Sequence, residues 1–256
     1  MTDVIVVYSL VFLYGISIGS FLNVCIYRIP RGESIVKNVS HCTACGQKIK
    51  VFDLIPVFSY IALRGKCRGC GAKISPRYMT VEMLCAALWM FLFYNLGFTW
   101  RFLFFAVMSA ALIVITLTDI EFTEIPDKVV LTLLAAGVIY NIVSFDLHFT
   151  VNSVVGFFAA SVPLYIMAVV TNGGMGGGDI KLMAVCGLFV GWRCILLAMF
   201  IGAVAACLFT LVQALAGKRR EDKGVVFGPF LSVGIIAAGL YGEPLIEWYL
   251  SLFVNL

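Results

Sequence analysis

The stretch Val4–Ile26, VIVVYSLVFLYGISIGSFLNVCI, runs for 23 residues without a charge. As a helix it would span about 34 Å, enough to cross the roughly 30 Å hydrocarbon core of a bilayer. Only Asp3 precedes it, with no basic n-region, and no A-x-A-like site follows. It therefore reads as a retained span and not as a removed leader. Seven further apolar segments follow, over roughly 79–97, 101–118, 128–145, 151–170, 180–192, 194–216 and 225–242. The segment 180–192 is short and glycine-bounded, which suits a half-span or a tilted helix. The last can continue through Tyr241–Phe253 as an interfacial stretch. Charged residues make up only 12% of the chain and hydrophobic ones 62%. A soluble domain carries about 25% charged residues, so the deficit excludes an ordinary water-soluble enzyme.

The charges that remain are distributed by side. Residues 28–77 hold Arg28, Arg31, Lys37, Lys48, Lys50, Arg64, Lys66, Arg68, Lys73 and Arg77. With that loop in the cytoplasm, alternation through eight helices puts 119–127, 171–179 and 217–224 on the same side. Lys128, Lys181, Lys218, Arg219, Arg220 and Lys223 then also fall inside, leaving only Arg101 and Arg193 outside. This is the asymmetry of the positive-inside rule. Both chain termini are expected outside. Asp119 then closes the third span and Asp179 opens the sixth, so the two acids share one depth on one face.

Acids at a membrane edge are costly and are rarely kept without a use. Here they come as Thr118-Asp119 with Glu121, Glu124 and Asp127, then as Gly176-Gly177-Gly178-Asp179-Ile180-Lys181. Two carboxylates held together share one proton, because both cannot ionise cheaply. The ionised partner can then activate water while the protonated one polarises a carbonyl. Plainer roles compete. Glu121, Glu124 and Asp127 also suit a solvated loop, with Pro126 and Asp127 placed to start a helix near Lys128. Asp179 also suits an N-cap. The glycines of 173–178, interrupted only by Met175, allow close backbone approach or simply a soft loop.

Taken in order along the chain, these motifs resemble the type IV prepilin peptidases, within the membrane aspartyl proteases that carry a G-x-G-D signature. The resemblance rests on Asp119 with Ile125-Pro126-Asp127, and on Gly176-Gly177-Gly178-Asp179. It extends to Gly19-Ser20-Phe21-Leu22-Asn23-Val24 ending in Arg28-Ile29-Pro30, to Asp53-Leu54-Ile55-Pro56, and to Arg64-Gly65-Lys66-Cys67. Ser75-Pro76-Arg77-Tyr78 with Val81-Glu82, and Phe227-Gly228-Pro229-Phe230, complete it. The resemblance implies an aspartyl endopeptidase of the bacterial inner membrane that removes prepilin or pseudopilin leaders at the cytoplasmic face. It also implies methylation of the new N-terminus by S-adenosylmethionine. Asp119 and Asp179 would be the catalytic pair, with Gly176, Gly178, Lys181, Glu124 and Asp127 as supporting residues. Residues for the methyl donor are not assigned.

Cys42-x2-Cys45 and Cys67-x2-Cys70 are separated by 21 residues, and each pair leads into a glycine. That spacing reads as a tetrahedral zinc site closed by four thiolates, hence structural. Two disulfides or free thiols are the alternatives, and a reducing cytoplasm argues against the disulfides. His41 is surplus, and Cys25, Cys85, Cys186, Cys194 and Cys207 read as small hydrophobes in apolar segments. The basic loop suits anionic lipid headgroups. No nucleic-acid partner is expected, since the loop lacks interleaved aromatics and is tied to the bilayer.

The expected fold is an all-α polytopic membrane protein of about eight transmembrane helices with a small zinc-stapled cytoplasmic loop domain. Its expected divisions are 1–27 as the first helix, 28–78 as the four-cysteine domain, and 79–256 as the membrane peptidase domain. Two other functions are weighed. A small secondary transporter also uses broken glycine-rich helices, but it would set its acids near midplane within related halves, and no internal repeat is visible. A scaffold of a pilus or secretion assembly has no use for paired membrane-edge acids.

Overall fold

The structure, a computed structural model, describes residues 2–36, 40–144, 146–217 and 226–254. Of the expected inside charges, Lys37, Lys218, Arg219, Arg220 and Lys223 lie outside the described residues. The chain is helical: α1 (Thr2–Arg28), α2 (Phe58–Ala62), α3 (Arg77–Leu96), α4 (Trp100–Phe122), α5 (Asp127–Ser144), α6 (Leu147–Val170), α7 (Gly177–Leu215) and α8 (Gly228–Val254). A 3-10 turn covers Val51–Leu54. Among the described residues, β-pairing is limited to the isolated bridges His41–Lys48 and Lys66–Lys73.

Seven of these helices are long and apolar enough to cross a membrane, and the chain is a multi-pass membrane protein. Their outward side chains agree: Ile142, Val170 and Phe200 are all exposed. In water such surfaces would be liabilities, whereas in lipid they need no cover. α8 carries the last apolar segment on through Tyr241 as one helix.

The chain divides into two compact units, Met1–Val114 and Ile115–Leu256, the boundary falling inside α4. In the first unit α1 and α3 run antiparallel. A Cβ on Gly15 would stand 2.6 Å from Ala86 Cα, and one on Gly19 would stand 2.6 Å from Glu82 Cα. Small residues let membrane helices approach this closely. Asn23 Nδ2 donates to Tyr78 C=O at 2.9 Å and fixes the register.

In the second unit the decisive element is α7. Its 39 residues would span about 58 Å as one helix, nearly twice a bilayer. It does not run straight, because Gly191 has φ 77° and ψ 172°. In an unbroken helix the Trp192 N–H would donate to Leu188 C=O. Instead Trp192 N–H donates to Asn152 Oδ1 at 3.3 Å, and Leu188 C=O accepts from Asn141 Nδ2 at 3.0 Å. Both groups freed by the break thus find side-chain partners, as a lipid environment requires.

The neighbours show that the break is a reversal. The first arm, Gly177 to Val190, packs on α6, where a Cβ on Gly156 would stand 2.6 Å from Gly187 C=O. The second arm packs on α8, with Cys194 against Gly242 near one end and Gly202 against Leu231 near the other. Gly228, which precedes Leu231 by three residues, bonds Asp119, and Asp119 interacts electrostatically with Asp179 at the start of the first arm. The second arm therefore returns to the side from which the first set out. The expected segments 180–192 and 194–216 are these two arms.

Candidate active site

Asp119 lies in the last turns of α4, after Thr118, and is buried to 8% exposure. The N–H of Gly228 donates to its Oδ2 at 2.9 Å. Gly228 opens α8, so this N–H belongs to a helix start where backbone donors have no partner within the helix and the dipole favours negative charge. A side chain there would push the Asp119 carboxylate aside, since a Cβ would lie 2.5 Å from Asp119 Oδ2.

Asp179 is the third residue of α7. The N-cap is Gly176, and no side chain caps it, so the capping role open to Asp179 from sequence is not the one it plays. Its Oδ1 is sealed from solvent and has no hydrogen-bond partner among the described residues. A buried acceptor left this way costs about 1–3 kcal/mol. Asp119 is the neighbouring charge that acts on it. Among the described residues no cation forms a salt bridge with either acid. The arrangement is two like groups placed together without a neutralising partner, suited to sharing a proton and holding a water.

The supporting residues divide. Gly178 is required sterically, since a Cβ would stand 2.8 Å from the Ile125 side chain on the connection that follows Asp119. A Cβ on Gly176 would stand 3.0 Å from Asp179 Oδ2. Asp127 starts α5 and pairs with Lys181 at 2.7 Å, tying the α4–α5 connection to the first turns of α7. Both are exposed, so the pair positions more than it stabilises. Glu121, in the last turn of α4, and Glu124, on the same connection, are both exposed. An apolar groove of about 680 Å³ opens between α5, α6 and the first arm of α7, beside Asp127 and Lys181.

The four cysteines Cys42, Cys45, Cys67 and Cys70 place their sulfurs within 4.8 Å of one another. Cys42 and Cys70 Sγ are 3.9 Å apart. A tetrahedral ion with bonds of about 2.3 Å sets its sulfurs about 3.8 Å apart, so the geometry fits zinc. Two like turns build it: Gly46 N–H donates to Cys42 C=O and Gly71 N–H to Cys67 C=O, each at 2.9 Å. Both glycines take positive φ, 71° and 72°. The backbone N–H groups of Cys45 and Ala44 pull the Cys42 thiol down to about 6. The Cys70 thiol is helped toward ionisation by Ala72 N–H, yet crowding by Cys45, Cys67 and Cys42 pushes it up to about 11. A divalent cation held by Cys42, Cys45, Cys67 and Cys70 would remove that conflict by compensating the four thiolates together. Arg68, inside the second turn, grips Asp53 with bonds of 2.7, 3.0 and 3.2 Å and holds its carboxyl below the usual range.

Gly228 is the site residue whose role sequence reading left open. Its signal was the glycine-proline step at the head of an apolar segment, a known helix-start pattern, but a backbone donor leaves no side-chain trace.

Comparison with known proteins agrees along the chain. Residues 13–96 match the family described as Bacterial Peptidase A24 N-terminal domain, and residues 106–211 match the Type IV leader peptidase family. The chain is 31% identical over 244 residues to the prepilin leader peptidase/N-methyltransferase of Bacillus subtilis, covering 95% of this chain and 98% of that protein. The proteins of the same name from Stutzerimonas stutzeri and Aeromonas salmonicida are 30% and 29% identical; the alignments cover 93% and 95% of this chain and 91% and 94% of those proteins. No solved structure matches the chain.

Proposed function

We infer, for a chain that belongs to the type IV leader peptidase family, that Asp119 and Asp179 are the pair with which it cuts a leader peptide from its substrate. The substrates are prepilins or pseudopilins and the cut falls at the cytoplasmic face of the bacterial inner membrane. The observation that carries the assignment is the Asp179 Oδ1, buried and without a donor among the described residues, on a side chain that interacts electrostatically with Asp119.

Hydrolysis follows from that geometry. One carboxylate takes a proton from a water, whose oxygen attacks the scissile carbonyl carbon. The other carboxyl gives its proton to the carbonyl oxygen. The gem-diol collapses as one hydroxyl returns its proton to the second carboxylate; the C–N bond breaks, and the amine leaves with the proton that the first carboxyl took from water. Gly228 N–H holds the Asp119 carboxylate in plane for this exchange. Glu124 and the Asp127–Lys181 pair stand where a basic leader would pass. Charge reversal at Glu124 is therefore a test of leader recognition.

The new N-terminal amine is then methylated. S-adenosylmethionine supplies an electrophilic methyl group to that amine. The glycine run 173–178 does not fit a cradle for it, because Gly178 is committed to Ile125 and Gly176 to Asp179. No step is derived through the donor. Purified protein incubated with a prepilin, with and without S-adenosylmethionine, tests both halves by intact mass. Leader loss is expected in both samples and a gain of one methylene only with the donor; an intact prepilin in both would refute the assignment.

Gly228→Ala should lower leader cleavage by about 10²-fold, since displacement of a catalytic group by an ångström has that order of effect. The fall should be in kcat, with the thermal midpoint little changed. Cleavage at the parental rate would remove Gly228 from the site.

The cysteine cluster holds zinc in a structural role, with Cys42, Cys45, Cys67 and Cys70 as its ligands. The double substitution Cys42→Ser/Cys70→Ser should drop metal content from about one zinc per chain to none. It should also expose 40–74 to proteolysis while leader cleavage continues. Full metal retention would contradict the ligand set.

A further inference from the structure

The first unit carries an apolar strip that its own fold leaves uncovered. Val51 and Phe52 are each 79% exposed, and Leu54 and Ile55 beside them are exposed as well. In α2 the exposed positions are Phe58, Ile61 and Ala62, the i, i+3, i+4 spacing of a single helix face. That face is apolar and turned outward, the reverse of a helix on a water-soluble domain.

Two observations say what it faces. The first is depth. Val57 N–H donates to the Glu82 carboxylate at 2.7 Å. Glu82 lies five residues into α3 from Arg77, or about 7.5 Å along the helix, and its side chain leans back toward the helix start. Gly19 of α1 packs on Glu82 at the same level. The turn at Pro56–Phe58 is thereby held beside a membrane-spanning helix, where headgroups meet acyl chains. The second is charge. Lys48 and Lys50 stand directly before the strip, Arg64 and Lys66 directly after it, and all four are exposed. An apolar face with a positive rim is the pattern of an element that lies in an anionic membrane surface. The grip of Arg68 on Asp53 sets the angle of the 3-10 turn from within the cysteine cluster.

We propose that residues 51–62 are an interfacial anchor, with Val51, Phe52, Phe58 and Ile61 among the acyl chains and Lys48 and Lys50 at anionic phosphates. The anchor lays the cysteine-bearing segment against the bilayer surface. This holds whether or not the peptidase assignment does, because its test does not read activity.

The unaltered full-length protein is placed in vesicles of phosphatidylethanolamine and phosphatidylglycerol. The vesicles carry a trace of phospholipid with a photoreactive diazirine in its acyl chain. After irradiation, labelled peptides are mapped by mass spectrometry. Peptides covering 51–62 should be labelled within about threefold of those from α3, and about tenfold above the Cys42–Cys45 turn, as an element buried at the acyl boundary requires. Labelling no higher than in that turn, while α3 is labelled, would overturn the proposal. So would a label that disappears when a prepilin is added, which would assign the strip to the substrate.

Discussion

Asp119→Ala and Asp179→Ala should each lower leader cleavage by about 10³-fold or more, with the protein still inserted in the membrane. A positioned general acid or base contributes about 10²–10⁴ in rate, and here each carboxyl serves the other's function as well as its own. The double substitution should be scarcely worse than either single one, because residues acting as a unit are not additive. Stability should hold for Asp179→Ala, whereas Asp119→Ala leaves the buried Gly228 N–H without its acceptor and should cost about 1–3 kcal/mol. Asp179 Oδ1 has no donor to lose, and Asp119 loses one bond from Gly228 N–H. Activity against pH should be bell-shaped, needing one proton on the pair. It is lost as acid adds a second proton and as base removes the first, and the two limbs belong to the pair and not to either residue. Kinetics on purified, reconstituted variants check this. Either single variant processing prepilin at the parental rate would end the dyad assignment.

Gly191→Ala should be among the most destabilising single substitutions in the second unit. The backbone at φ 77° and ψ 172° is a conformation L side chains rarely adopt, and it costs about 1–3 kcal/mol for a residue with a Cβ. The Cβ would also stand 2.5 Å from Asn152 Nδ2, the side chain that receives Trp192 N–H. Strain and loss of that bond act at the same point. Gly177→Ala is the matched control: a Cβ there meets nothing within 4 Å, and alanine at a helix start is neutral or slightly stabilising. Thermal unfolding of the two variants in detergent should separate them clearly. Equal midpoints would mean that α7 does not depend on its reversal.

The spans were legible because hydrophobic length is the strongest sequence signal a membrane protein offers. Val4–Ile26 needs no partner to be read, and the structure gives it as α1. The segments 180–192 and 194–216 were legible as two, and the structure carries them as the two arms of α7 on either side of Gly191. Gly191 with Trp192 was the only mark of the turn between them. Asn141, which donates to Leu188 C=O, and Asn152, which accepts from Trp192 N–H, could not be found from sequence. Each is one of several polar residues in a mainly apolar helix, and its partner lies 47 or 40 residues away.

At the site, Asp119 and Asp179 were legible because carboxylates at a membrane edge are expensive. The part played by Asp179 in α7 was not, since N-cap and third helical position differ by only three residues of register. The cysteine cluster was readable from spacing alone, and its sulfurs meet as that spacing requires. The outward face of α2 was hidden for a physical reason. A five-residue helix is too short for a periodic signal, and its orientation depends on a hydrogen bond from Val57 to Glu82, 25 residues on.

The central claim is that Asp119 and Asp179 meet side by side, and cross-linking measures this directly. Asp119→Cys/Asp179→Cys is treated with a short bifunctional thiol reagent, and linked peptides are identified by mass. Asp119→Cys/Lys181→Cys serves as control, because Lys181 turns toward Asp127. The account expects a link between α4 and α7 in the first variant and little in the second. Absence of that link, with both introduced cysteines still open to a single-headed reagent, would contradict it.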